Sequence, residues 1–157
     1  MGVSIVLRLP PRIKVLEAAS AIADNRIEVL DDRRAIVVSS DGSRRYRVVL
    51  DVARGAVYSD DNGTLLRGYV GYPIIAFMMM KKLLPYDEDV AKALRGIPWR
   101  RLNEELKRYA VVENVVKRIA IDRGLDPKRI DSFVDLVMSR LKAYRLHLDR
   151  NLVSLFS

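Results

Sequence analysis

The 157-residue chain contains no cysteine and no glutamine, with one histidine and one tryptophan. Without cysteine there is no disulfide, no thiol nucleophile and no thiolate metal site. The one histidine, His147, leaves no histidine cluster for a metal, and no G-x-S-x-G sequence supplies a nucleophile elbow. Phosphate loops of the G-x-G-x-x-G or G-x-x-x-x-G-K-S/T kind are absent as well. Apolar runs are short: the longest, Ile74–Met80, falls far below the roughly 20 residues that span a bilayer. Met1–Leu9 lacks the basic start and small-residue cleavage site of a secretory leader, so a cytoplasmic protein is expected.

What is present is a chain about one domain long and half hydrophobic, enough to bury a core without metal or disulfides. Arginine outnumbers lysine 20 to 8, and the net charge is +8. Residues 1–80 carry 11 basic and 9 acidic side chains, net +2; residues 81–157 carry 17 and 11, net +6. Dense charge without thermolabile cysteine or glutamine suits a thermophilic chain. A basic excess favours a polyanionic partner such as nucleic acid, through phosphate neutralisation and counterion release. The same charge equally describes a solvated, ion-paired surface.

Patterning places a short strand at Val3–Leu9, ended by Pro10-Pro11, and a helix at Lys14–Ala23 with Ile13, Leu16, Ala19 and Ala23 at helical spacing. Strands follow around Ile27–Leu30, Ala35–Ser39 and Arg45–Leu50, with Ile36, Val38, Tyr46 and Val48 expected in the core and Arg45 and Arg47 in solvent. Asp41-Gly42 and Asn62-Gly63 are turn signals, the second at a hairpin over Ala56–Thr64. From Pro73 the pattern is helical. Asp87 caps a short helix that Gly96 ends, and Pro98 opens one helix whose stripe runs Trp99, Leu102, Leu106, Tyr109, Val112, Val116 and Ile119. After Gly124, Asp126-Pro127 starts a last helix with Ile130, Phe133, Val137, Leu141, Tyr144 and Leu148 on one face. The expected fold is α+β: a small antiparallel meander with packed helices over residues 1–84, then a helical segment over 85–157 packed on it as one body.

The order of elements over Lys14–Leu84, with the core Ile36-Val37-Val38-Ser39-Ser40 and Arg45-Tyr46-Arg47-Val48, resembles the SWIM-type zinc-finger family of the archaeal kind. That family's pattern is C-x-C, a spacer, then C-x-H opening a helix. Here Ala56-Val57-Tyr58 and Gly71-Tyr72-Pro73 stand in those places, so the chain resembles a degenerate member without zinc ligands. The resemblance implies no metal and no cofactor, DNA or protein binding, and association with a RecA-type recombinase paralogue. Tyr58, Tyr72, Ile74 and Phe77 are apolar enough to fill the space a structural zinc vacates.

Among residues that carry chemistry, Arg33, Arg34, Arg44, Arg45 and Arg47 form the expected nucleic-acid-binding set, since arginine grips phosphates bidentately and stacks on bases. Tyr69 and Tyr72 offer stacking surfaces if exposed, while Asp31, Asp32 and Asp41 are positioned to neutralise the same arginines. His147 reads as a solvated residue near the end of the last helix, and Met78-Met79-Met80 as padding in a buried one. Asp60-Asp61-Asn62-Gly63 lacks calcium-loop spacing and reads as a hairpin tip. The helix start after Gly68-Tyr69-Val70-Gly71 is a weaker anion candidate, because Pro73 removes one donor. No convergent nucleophile, base and orienter is visible, so the expectation is a non-enzymatic module that binds DNA directly or within a repair or recombination complex. The alternative is a protein-interaction scaffold that docks through the apolar tail Leu152-Val153-Ser154-Leu155-Phe156.

Overall fold

A computed structural model describes residues 5–157. Its elements run β1 (Ile5–Val6), α1 (Ile13–Ala23), β2 (Ile27–Val29), β3 (Arg34–Val38), β4 (Arg45–Asp51), β5 (Ala56–Ser59) and α2 (Asn62–Leu65). Then come α3 (Tyr72–Met80), α4 (Glu88–Ala93), α5 (Trp99–Leu106), α6 (Tyr109–Asp122), α7 (Pro127–Tyr144) and β6 (His147–Leu148). Two 3-10 helices, Val52–Arg54 and Arg150–Phe156, complete the chain. The fold is α+β, and one sheet has the order β1-β6-β5-β4-β3-β2. Strands β2 to β5 form the expected antiparallel meander. Strand β6 lies parallel to β5, and β1 pairs antiparallel with β6 at the edge. The start of the first predicted strand, Val3 and Ser4, lies outside the described residues.

The C-terminal half is therefore not helical throughout. The last helix ends at Tyr144, whose hydroxyl donates to the Leu83 carbonyl at 2.8 Å, and Arg145 takes a left-handed φ of 47°. Beyond it Leu146 and Leu148 are buried and His147 between them is half-buried, which is the two-residue period of a strand. Leu148 fell on the helical stripe by coincidence of spacing, and His147 belongs to the sheet rather than to a solvated helix.

Three further expectations shift. The stripe Trp99–Ile119 is shared by two helices, because Lys107 adopts φ 60° and Arg108 is extended; Trp99, Val112 and Val116 still reach the core. In β3 the buried residues are Ala35 and Val37, not Ile36 and Val38, and they pair with Val48 and Tyr46. A run in which every position is apolar carries no phase, so cross-strand packing decides which face is inside. Finally, Ala56–Ser59 is a fully buried strand and Asn62-Gly63 opens α2 instead of a hairpin. The buried Asp61 caps that turn, accepting from the Thr64 amide at 3.1 Å and the Thr64 hydroxyl at 2.8 Å.

Helix α3 covers one face of the sheet, and α1 packs on α3. Helix α3 needs no amphipathic pattern: seven of its nine residues, Pro73 through Met79, are buried, so the helix is apolar on every side, and only Met80 is exposed. Helix α1 is buried from Ile13 to Ala21 except Lys14, and packs against α3, α4, α6 and α7. Its alanines let these helices approach closely. Buried residues from 7 to 152 form one cluster, so residues 1–84 and 85–157 share a core. The opposite face of the sheet is covered by the 3-10 helix Arg150–Phe156, where Leu152 is buried and the Arg34 guanidinium lies 5.6 Å from the Phe156 ring centroid. The apolar tail docks on its own sheet. Phe77, fully buried in α3, gives the direct check of this packing: Phe77→Ala should lower unfolding free energy by about 3–5 kcal/mol in a denaturant titration, and a loss under about 1 kcal/mol contradicts the packing described.

Candidate functional site

The five arginines singled out in the sequence do not form one surface. Residues opposite one another in an antiparallel pair share a face, so Arg34, Arg47 and Arg45 follow Val49, away from α3. Tyr46 follows the other face, where its ring meets that of Tyr72 in α3, edge to face, at 6.1 Å. Arg33 and Arg34 sit at the open end of the β3–β4 hairpin; Val49, opposite Arg34, is four residues from Arg45, or about 13 Å by strand rise. Arg34 is held by Asp31 at 2.8 Å and by the Leu155 carbonyl. Arg47 is bound by both oxygens of Asp60, through its amide and its Nε, each at 2.8 Å. Arg33 and Arg45 are exposed and stand apart. Only Arg44 turns to the helix side, and there it borders a cleft.

That cleft, of about 530 Å³, lies between the hairpin, the first turn of α1, the start of α3 and the helix α5. Its deepest charged group is Glu17, 3% exposed. An ionised carboxylate so buried needs partners. Lys14 Nζ lies 3.2 and 3.3 Å from its two oxygens, and Asn103 Nδ2 donates to Oε1 at 2.9 Å. Burial alone pulls the Lys14 ammonium down, but the Glu17 carboxylate, with smaller help from Tyr109, holds it above the ordinary lysine value. The same ammonium sits 5.1 Å from the Tyr109 ring centroid.

Tyrosine forms much of the wall. Burial pushes the hydroxyls of Tyr46 and Tyr72 up, and acidic neighbours, Asp61 for the first and Glu17 for the second, add to it. Both are neutral donors at any physiological pH. Tyr69, behind the wall, is raised by burial and then by its 3.4 Å hydroxyl contact with Tyr109. At the mouth stand Arg44, Arg67 and Lys107, all exposed, together with Arg100. Arg100 is engaged with Glu104 and Asp41, while Arg44, Arg67 and Lys107 make no ion pair among the described residues. Cations outnumber acids in the lining by six to three: Lys14, Arg26, Arg44, Arg67, Arg100 and Lys107 against Glu17, Asp60 and Glu104.

Local chemistry fixes this rim. Asp41 closes the β3–β4 turn by accepting from the Ser43 amide at 3.0 Å and from the hydroxyls of Ser43 and Ser39 at 2.7 and 2.8 Å. The turn then binds α5, since the Arg100 amide donates to Ser40 Oγ at 2.9 Å and its guanidinium to Ser43 Oγ at 2.6 Å. At the opposite corner Gly71 is required by closeness, because a Cβ there would collide with the Asp61 carboxylate. Sequence reasoning missed Lys14, Glu17, Arg26, Arg67, Trp99, Asn103, Lys107 and Tyr109. A polar pair, Lys14 and Glu17, inside an otherwise apolar helix was the one signal on offer, since charge on a buried face has to serve something.

Among the described residues no group of three metal-ligating side chains comes together. Ala56 and Tyr58 share the face of Val49 and Asp51, whereas Gly71 and Pro73 begin α3 on the other side of the sheet, so the four zinc-finger positions do not converge. The fold is α+β, with the cleft opening on the helix side of its sheet. Over residues 7–147 the chain matches the family described as Uncharacterised conserved protein UCP014422, and it belongs to that family. No curated protein and no solved structure shows significant similarity to it.

Asp41 offers a titration test of the rim. Hydrogen bonds from Ser43 and Ser39, with a smaller pull from Arg100, lower its carboxyl from 3.8 to about 2. A carboxylate with a depressed folded value contributes stability above its unfolded range, and that contribution is lost as pH falls. A carbon-13 titration of the side chain should therefore show a midpoint near 2, and Asp41→Asn should remove the part of the acid sensitivity that lies between about pH 4 and 2. A midpoint near 3.8 contradicts the turn geometry.

Proposed function

We propose that the protein is a non-enzymatic module that binds nucleic acid, with the contact at the mouth of the cleft rather than across the five arginines of the hairpin. The observation that carries this reading is the ring of Arg44, Arg67 and Lys107, three exposed cations without ion pairs among the described residues, around an opening walled by tyrosine. Unpaired cations facing one concavity sum their fields and hold a polyanion better than scattered ones. Aromatic rings beside a basic groove are what single strands use, because every base has a face to stack. Arg34 and Arg47 support the reading less, since a bound phosphate must compete there with Asp31 and Asp60. The scaffold alternative loses its motive once the tail covers its own sheet. A RecA-type partner and a cytoplasmic setting rest on the resemblance and the composition.

Fluorescence anisotropy with a labelled single-stranded DNA tests it at about 50 mM salt, where phosphate contacts are strong. Log K should fall linearly with log salt. The triple variant Arg44→Glu, Arg67→Glu, Lys107→Glu should reduce that slope by about 2, since each single-strand phosphate contact is worth ~0.7, with little change in stability. Arg45→Glu with Arg47→Glu should leave the slope as it was. Binding unaffected by the triple variant, or abolished by the hairpin pair alone, contradicts the assignment.

A further inference from the structure

Buried polar atoms without partners are rare in folded proteins, because each gives up its hydrogen bonds to water and gains none in return. Among the described residues four such side-chain atoms occur: Arg26 Nη2, Trp99 Nε1, Asn103 Oδ1 and Ser59 Oγ. Three of the four belong to residues that line the one cleft. Ser59, the fourth, lies beside Asp61 and outside the lining. Arg26 spends Nη1 on the Val38 carbonyl at 2.7 Å and Nε on Asp24 at 3.4 Å, and its Nη2 has no hydrogen-bond partner. Trp99 is 3% exposed and its ring nitrogen can only donate. Asn103 is oriented by Glu17, a carboxylate that only accepts, so the amide nitrogen is used and the carbonyl oxygen is left as an acceptor.

The floor thus presents two donors and one acceptor, the walls present aromatic rings, and the rim presents unpaired cations. We infer that the cleft holds one nucleoside phosphate, with the phosphate on Arg44, Arg67 and Lys107 and the base against Tyr46 and Tyr72, its edge toward Trp99 and Asn103. The inference deepens the nucleic-acid reading and rests on it for the role of the rim. A simple carboxylate is a poorer match, because it brings acceptors alone and leaves Asn103 Oδ1 unpaired, and inorganic phosphate has no ring face to set against the tyrosines. A base edge carries donors and acceptors side by side. The volume, about 530 Å³, falls within the range of small-ligand sites, ~300–1,000 Å³. The three orphan atoms are sealed from bulk solvent, so the base reaches them by turning aside a wall side chain or through a bridging water.

Trp99 is the sole tryptophan and reports on the site directly. The experiment titrates its fluorescence with AMP, GMP, CMP, UMP and inorganic phosphate, and then adds an unlabelled single-stranded DNA in competition. At least one nucleotide should change the emission and bind ten-fold or more tightly than inorganic phosphate. Asn103→Leu should weaken that nucleotide about ten-fold while the affinity for inorganic phosphate stays within two-fold. Because Asn103 also serves Glu17, Tyr46→Leu is the second variant; it too should weaken the nucleotide, with thermal melting showing both variants folded. Displacement of the nucleotide by the DNA assigns the cleft to a nucleotide within a strand, and DNA binding without displacement assigns it to a free nucleotide; both support the inference. A nucleotide that binds while DNA does not upholds the cleft and overturns the nucleic-acid reading. If no nucleotide outdoes inorganic phosphate, or both folded variants bind it like the parent, the inference is wrong, and DNA binding that persists leaves the rim reading intact.

Discussion

The carboxylate of Glu17 is the constraint around which the helix side of the sheet is arranged. It sits in the middle of a helix whose every other position from Val15 to Ala21 is also buried, so little water reaches it. Charge in that setting is tolerated only with partners of good geometry, and removing one partner of a buried pair costs several kcal/mol. Lys14 supplies one from the preceding turn and Asn103 the other from α5. The second contact spans 86 residues and fixes α5 over α1. With α5 held there, Trp99 is pressed into the core and Arg100 reaches the β3–β4 turn. The cleft is the space that this arrangement leaves between the sheet and α5.

Elsewhere part of the charge is spent on ion-pair networks inside the molecule. Arg12 joins Glu113, Asp131 and Asp135; Lys117 bridges Glu113 and Asp131; Arg129 binds Asp87 and Asp89. These links cross between α1, α4, α6 and α7, and as a network they hold the helices together better than isolated surface pairs do. The C-terminal half carries the larger basic excess in its composition, and six of its 17 lysines and arginines are held in ion pairs. Net charge therefore singles out no face; the proposed one is marked by cations without an ion pair that border a concave surface.

The helices were legible because their caps and spacing are local: Asp87, Asp126-Pro127, Gly96 and Gly124 act where the chain pattern puts them. The meander was legible for the same reason, through Asp41-Gly42 and the alternation around Tyr46. What escaped depends on residues far apart in the chain. The phase of β3 is chosen by Val48 and Tyr46 across the sheet, and β6 is a strand because β1 and β5 lie ready on either side of it. The hairpin arginines do not share one face, since alternation sends Arg45 and Arg47 to the opposite face from Arg44. Asn62-Gly63 misled because glycine there serves a close approach by Tyr69 and not a turn with positive φ.

The central claim is that the helix side of the sheet, not the side covered by the C-terminal 3-10 helix, receives the ligand. The most direct measurement is a nitrogen-15 amide and indole spectrum of the whole chain recorded during titration with a short single-stranded DNA. The account predicts shifts gathered at Arg44, Tyr46, Arg67, Arg100 and Lys107 and at the Trp99 indole, with Arg34, Arg45 and Arg47 little changed. Shifts confined to Arg34, Arg45, Arg47 and the 3-10 helix at Arg150–Phe156, with a silent Trp99 indole, would contradict it.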